Sequence, residues 1–427
     1  MKTEQHHPLI AVEDALQTIL SQITPTPAEQ IPLVEGFGRV LAQAVVSAAN
    51  VPPFANSAMD GYAVIAADTQ PARRDQPVRL AVTANIPAGS APKSRLTAHS
   101  AARIMTGAPI PAGANAVVRF EDTSEFIPAP PNAALDADDV LIFEPAAVGD
   151  NVREAGEDIR HGQTVLAAGH RLRPQDVGVL AALGQARLMV HRKPRVAILA
   201  TGDELVDVDA PLLPGKIRNS NEYSQAAMVQ KYGGEPVMLG IARDTVADLT
   251  AKIRHGLAQK IDLFLTSAGV SVGDFDMVKN VLAAEGDMQF WQVGIKPGKP
   301  LAYGVLRHRN SRVPLIGLPG NPVASLVAFE VFARPAVLKL GGHLNYQKTS
   351  LMATLDEAVT NSGRRHFMRG LVYLKDNRYH VTTRGSNVQV QGSGILTSMV
   401  WANCLVVVPE KVTHLPAGAT IETWILD

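Results

Sequence analysis

A chain of 427 residues is longer than one ordinary core, and its 46% hydrophobic and 19% charged residues make a globular composition. Two to four domains are therefore expected. Forty basic residues balance forty acidic ones, which speaks against a nucleic-acid partner or a membrane surface and makes any anion site a local one. Cys404 is the only cysteine, so an intrachain disulfide and a multi-cysteine zinc site are excluded.

Met1 to Pro8 has one Lys and no apolar run of signal-peptide type behind it, which points to a cytoplasmic protein. Val12, Leu16, Ile19 and Ile23 recur near helical spacing and predict an amphipathic helix over Leu9–Ile23. From Val51 to about Pro145, short apolar runs (Leu80–Val82, Ala116–Phe120, Val140–Phe143) alternate with Pro, Gly, Ala and Asp clusters, as in a small β domain. Ile127–Asp139 reads as a surface loop.

Between Val196 and Leu340 the pattern alternates. Val196–Thr201, Pro236–Ile241, Asp262–Thr266 and Pro314–Leu318 read as buried strands. Glu222–Lys231, Val246–Gln259, Phe275–Ala284 and Pro322–Leu340 read as helices. Val246, Leu249, Ile253 and Leu257 place one apolar stripe on the second helix. This alternation predicts an α/β domain with a mostly parallel sheet, whose ligands sit beyond the carboxyl ends of the strands. The uncharged stretch Val313–Phe329 carries Pro319, Gly320, Asn321 and Pro322 in its middle, so it fits a strand, loop and helix start rather than a membrane span. After Gly341–Gly342 the chain turns β again, with candidate strands Leu371–Leu374, Tyr379–Thr383, Cys404–Val408 and Thr420–Leu426.

Four loops adjoin the α/β strands: Thr201–Leu205, Ser267–Asp276, Ile295–Pro300 and Leu318–Ser325. Their glycines let backbone N–H groups approach an anion, and a helix start favours negative charge. Glu204, Asp244 and Asp276 do not bind anions unaided. Carboxylates beside phosphates commonly mean a bridging Mg²⁺. One such loop would be ordinary turn chemistry. Four at consistent positions indicate an anionic or nucleotide-like ligand, with Mg²⁺.

The strings themselves go further. Asn56-Ser57-Ala58-Met59-Asp60-Gly61-Tyr62-Ala63-Val64 and Met105-Thr106-Gly107-Ala108-Pro109 come first. Gly156-Glu157-Asp158-Ile159, Thr201-Gly202-Asp203-Glu204-Leu205 and the Gly269–Asp276 loop follow. Lys296-Pro297-Gly298-Lys299-Pro300, Leu318-Pro319-Gly320-Asn321-Pro322, Phe367-Met368-Arg369-Gly370 and Gln391-Gly392-Ser393 complete the series. In this order they resemble the molybdopterin molybdenumtransferases, a family that includes the gephyrin E domain.

The resemblance implies a multidomain α/β plus β fold in an elongated four-domain subunit. Residues 1–50 and 146–191 would form a discontinuous helical and extended domain, and 51–145 an inserted β domain. The α/β molybdopterin-binding domain would span 192–341 and the C-terminal β domain 342–427. It further implies a homodimer with active sites between subunits, and a molybdopterin-adenylylating protein as donor. The implied reaction joins molybdate to the dithiolene of adenylylated molybdopterin (molybdopterin-AMP), with Mg²⁺-dependent hydrolysis releasing AMP.

By position, Asp60, Thr106, Glu204, Asp276 and Lys296 would be catalytic. Glu204, Asp244 and Asp276 would serve the metal. Asp244, Ser271, Gly273, Lys299, Pro319, Gly320, Asn321, Arg369 and Ser393 would bind substrate, with Lys296, Arg369 and Ser393 on the oxyanion. Three positions depart from the family pattern: Asn115, Ala268 and Gln292, the last removing one positive charge from the expected oxyanion region. Molybdopterin adenylylation and a scaffold role are the competing readings. Related adenylylating proteins lack the Asp60 string and the C-terminal β domain, and the retained Glu204, Asp276 and Lys296 speak against a purely structural protein.

Overall fold

The computed structural model of the chain describes residues 9–130, 136–267, 275–308, 311–384 and 391–426. The chain forms two compact units, one from Gln43–Ala168 and Pro174–Ala186, the other from the rest.

The smaller unit is built on a five-stranded sheet in the order Ala116–Arg119, Gly61–Val64, Ser100–Ile104, Val78–Ile86, Asp139–Ile142. Alternate residues bury opposite faces: Tyr62 and Val64 enter one cluster with Leu80 and Ile142, and Ala63 enters the other with Ile86 and Val117. Both faces being covered explains the absence of a polar alternation in Gly61–Val64. Gly61 is required by the close approach of its neighbour, because a Cβ there would lie 2.0 Å from the Val118 carbonyl oxygen. Asn115, one of the departures from the family pattern, keeps a local role through its side-chain oxygen, which accepts from the Ala66 N–H at 2.8 Å.

In the larger unit the chain runs β1 (Arg195–Thr201), α1 (Asn221–Lys231), β2 (Glu235–Ala242), α2 (Val246–Ala258), β3 (Leu263–Ser267), α3 (Phe275–Glu285), β4 (Gly286–Gln292), β5 (Ile295–Lys296), β6 (Pro300–His308), β7 (Ser311–Leu318), α4 (Pro322–Ala328) and α5 (Arg334–Leu340). The sheet order is β2–β1–β3–β7–β6–β4. The first three pairings are parallel and the last two antiparallel, so the expected mostly parallel sheet carries an antiparallel edge. Helices cover both faces. Val196 and Ile198 of β1 pack with Val229 of α1, Val327 of α4 and Ile19 of the N-terminal helix Val12–Ser21. Ala197 and Leu199 pack with Leu249, Ile253 and Leu257 of α2. Those three α2 residues contribute about 1.5–3 kcal/mol each on burial. Val246 is exposed, so the stripe begins one turn later than its spacing predicts. Thr245 caps α2 by accepting from the Asp248 N–H.

Two strands of this sheet were not foreseen. β6 and β4 lie on the antiparallel side, where Gly304 and Gly286 allow close strand contact: a Cβ on either would fall within 2.5 Å of the neighbouring strand. The single helix expected over Pro322–Leu340 is interrupted by a π-helical stretch, Phe329–Ala333. Pro335 follows immediately and has no N–H to return to the preceding turn, which widens the helix there.

The C-terminal strands are β8 (Ser350–Leu355), β9 (Arg365–Lys375), β10 (Arg378–Thr382), β11 (Cys404–Val408) and β12 (Thr420–Ile425). They pair around a ring, β9–β10–β8–β12–β11, and β11 returns to β9, giving a closed five-stranded barrel. Ala353, Leu355, Val381, Val406 and Ile421 fill it. Closure leaves no free edge within the ring. The short β5 joins this barrel outside the ring, with Lys296 opposite His366 of β9. Among the described residues no helix is long and apolar enough to cross a membrane.

Candidate functional site

The carboxyl ends of β1, β3 and β7 meet where the strand order turns back on itself, the usual ligand position in such sheets. A cavity of about 560 Å³ opens there. Glu204 reaches it from the loop after β1, Ser267 from the end of β3, and Pro319, Gly320 and Asn321 from the loop after β7. Lys296 and Lys299 enter from the turn between β5 and β6. Arg364, His366, Gln391 and Ser393 come from the barrel side.

Charge is uneven. Among the described lining residues four are Lys or Arg (Arg218, Lys296, Lys299, Arg364) and one, Glu204, is acidic. The chain as a whole is neutral. The described lining is therefore a local concentration of positive charge on a neutral protein.

Its walls are fastened from behind. Asn321 precedes α4, and its amide donates to the Ser393 hydroxyl at 3.1 Å, while the Val323 N–H donates to the Ser393 carbonyl at 3.0 Å. Asn221 donates to the Gly320 carbonyl at 2.7 Å. Glu222, 2% exposed, accepts from Asn219 and from the Gly240 N–H, both at 2.7 Å. It ties the Asn219–Asn221 wall to β2, and burial raises its pKa. Gly298 stands at φ +105°, a conformation open to glycine, between Lys296 and Lys299.

Not every expected site residue lies on the wall. Arg369 is fully buried and is absent from the described lining. Its Nε donates to the Ser398 hydroxyl and its Nη2 to the Gly392 carbonyl, each at 3.1 Å. Gln391 exchanges two hydrogen bonds with the Arg369 backbone, at 3.0 and 2.9 Å. Arg369 thus anchors the segment that presents Gln391 and Ser393. Burial lowers its pKa to about 10. Gln292 does not line the cavity either; its carbonyl accepts from the Ile10 N–H at 2.9 Å.

Asp244 faces the loop after β1. The Asp203 N–H donates to Asp244 Oδ2 and the Asp244 N–H returns to Asp203 Oδ1, both at 3.1 Å, which clasps the Glu204 loop to the end of β2. Asp276 falls in the first turn of α3, but its side chain lies outside the described residues, as do Ser271, Gly273 and Ala268. Among the described residues no three His, Cys, Asp or Glu side chains form a metal cage.

In the smaller unit, Asp60 and Thr106 flank the antiparallel pair Gly61–Val64 and Ser100–Ile104, whose register sets Gly61 opposite Ile104. The Thr106 N–H and hydroxyl both donate to Asp60 Oδ1, at 2.7 and 2.9 Å. Those two bonds lower the Asp60 pKa, the backbone one first. Both residues are exposed, so the pair presents an ionised carboxylate to solvent.

His366 was not foreseen: a lone histidine without metal-ligand spacing carries no signal in a sequence. It lines the cavity and is 3% exposed.

The N-terminal part of the chain, residues 10–184, matches the MoeA N-terminal region (domain I and II). Residues 197–339 match a probable molybdopterin binding domain, and residues 353–426 the MoeA C-terminal region (domain IV). A molybdopterin molybdenumtransferase of Haemophilus influenzae is 36% identical, over 97% of this chain and 98% of the relative. Molybdopterin molybdenumtransferase 2 of Mycobacterium tuberculosis is 38% identical, over 92% and 94%. The crystal structure of a molybdopterin biosynthesis MoeA protein from Pyrococcus horikoshii superposes with a TM-score of 0.81 at 30% identity, covering 98% of this chain and all of that one.

Proposed function

The chain belongs to the molybdopterin molybdenumtransferases, transferases of molybdenum cofactor biosynthesis, and on that premise we propose that its cavity joins molybdate to the dithiolene of adenylylated molybdopterin as AMP is released. The carrying observation is the cationic cavity at the sheet's switch point, on a chain with no net charge.

The side chains suit the substrates. Molybdate is a tetrahedral dianion. Lys296 and Lys299 offer compact charges to it and Ser393 a hydroxyl donor, while Arg369 holds the Ser393 segment in place. The 560 Å³ volume is in the range of small-molecule sites. Gly320 and Asn321 can turn backbone N–H groups toward the pyrophosphate side, with Pro319 shaping the loop. No protein thiol is called on, because both reacting sulfurs belong to the pterin. Cys404 is buried, and burial pushes its thiol up to about 12.

Among the described lining residues Glu204 is the one carboxylate, and no three described acidic, His or Cys side chains form a cage, which suits a divalent cation shared with substrate phosphates. Glu204, Asp244 and Asp276 would hold Mg²⁺. The bound cation supplies charge neutralisation to P–O cleavage. Asp60 and Thr106 would face the corresponding cavity of a second subunit in a homodimer, and an adenylylating protein would deliver the pterin nucleotide.

The test separates the two halves of the site. Lys296→Ala and Ser393→Ala should weaken molybdate binding and spare adenylylated molybdopterin, measured by calorimetry with each ligand. Glu204→Ala should lower Mg²⁺-dependent AMP release and spare molybdate binding. Equal loss of both ligands in every variant would remove this assignment.

A further inference from the structure

His366 lines the cavity with both of its ring nitrogens buried and without a partner among the described residues. It starts β9, where β5 and β11 flank it: Lys296 is its partner across β5, and Val408 its partner across β11. Its side chain is buried, yet neither ring nitrogen finds a hydrogen-bond partner among the described residues. A buried polar group left unmade is costly, and native structures rarely keep one without a use. The same ring lines the cavity. An imidazole that packs as an apolar filler would be replaced without loss by a leucine. One that waits for a ligand would not.

We infer that His366 is a specificity-determining residue of this site, a neutral imidazole that donates an N–H to the tetrahedral oxyanion held beside Lys296. This rests on the oxyanion reading of the cavity given above. Among the described residues, the charged groups that act on the ring are Lys296 from β5 and Arg364 and Arg369 from its own segment, while its pairing partner on β11 is the apolar Val408. Burial and those three cations push the imidazole down to about 3, so it stays uncharged at physiological pH. A neutral donor adds directionality without a further charge to desolvate. A tetrahedral anion has oxygens to spare for it once Lys296 and Ser393 are engaged.

Molybdate is the probe, titrated calorimetrically into the full-length protein between pH 6.5 and 8.5, where it remains a dianion. His366→Leu should weaken binding by about tenfold or more, and its melting temperature without molybdate should rise, because two orphaned nitrogens have been removed. His366→Gln keeps an N–H donor that cannot titrate and should bind within about threefold of the parent. Parent and His366→Gln should show the same flat pH dependence. Unchanged molybdate affinity in His366→Leu, with Lys296→Ala weakened, overturns the role of His366 and leaves the oxyanion site standing. A parent affinity that falls steeply with pH, with the slope lost in His366→Gln, overturns the neutral donor, since the ring would then bind as imidazolium. Failure of molybdate to bind parent protein at all removes the oxyanion reading together with this inference.

Discussion

Arg369→Met asks whether the buried guanidinium touches the oxyanion or holds the segment that does. Two hydrogen bonds to a charged donor, on Ser398 and Gly392, are worth about 3–6 kcal/mol together. Against them stands the cost of burying the cation: lowering its pKa from 12.5 to about 10 corresponds to about 3 kcal/mol. Because the folded-state value is the depressed one, this penalty is present throughout neutral pH and lifts only as pH rises past about 10. These terms together amount to about 0–3 kcal/mol on substitution, and the unfolding control reads the full cost. If Arg369 acts through the Gln391–Ser393 segment, Arg369→Met and Ser393→Ala each weaken molybdate binding by about tenfold, and the double variant is little worse than either, a coupling of about 1 kcal/mol. The assay is a double-mutant cycle by molybdate calorimetry, with urea unfolding of each variant as control. Additive losses, about a hundredfold in the double variant, would refute the indirect role and place the guanidinium on the anion.

Other expectations follow from the same geometry. Glu222→Gln should cost about 1–3 kcal/mol, because both carboxylate oxygens accept buried hydrogen bonds and an amide would turn a donor toward one of those donors; burial raises the parent's folded-state pKa from 4.5, so the parent's own stability falls as pH rises and the gap should narrow between paired thermal melts at pH 5 and 8. Gly298→Ala should cost about 1–2 kcal/mol or more, since an L side chain is strained at φ +105°, and should weaken molybdate through the flanking lysines; urea unfolding at parental stability would count against it. Mixing Asp60→Ala with Lys296→Ala protein under exchange should recover roughly a quarter of parental activity if each site takes residues from two subunits. No recovery with confirmed exchange would place both residues in one subunit's site.

Much of this was legible in the sequence. The parallel strands are buried runs and their loops carry glycines, so β1, β2, β3 and β7 stand within a few residues of their expected places. Glu204, Lys296, Lys299, Gly320 and Asn321 share one cavity as the loop chemistry suggested, and Ser393, implied only by the family resemblance, lines it with them. What escaped depends on distant pairing. Closure of the barrel joins β9 to β11 across more than thirty residues, and no local pattern announces it. The β4–β6 pair hides in a segment read for its lysine loop. The depth of Arg369 and the orphaned ring of His366 are set by neighbours from three separate segments, which spacing along the chain does not encode.

The most direct measurement is turnover of the purified protein with adenylylated molybdopterin, Mg²⁺ and molybdate, following AMP and molybdenum cofactor together. The expected result is stoichiometric appearance of both, dependent on molybdate and lost in Lys296→Ala. AMP released without metal insertion, or cofactor formed equally well by Lys296→Ala, would contradict the proposed chemistry of this cavity.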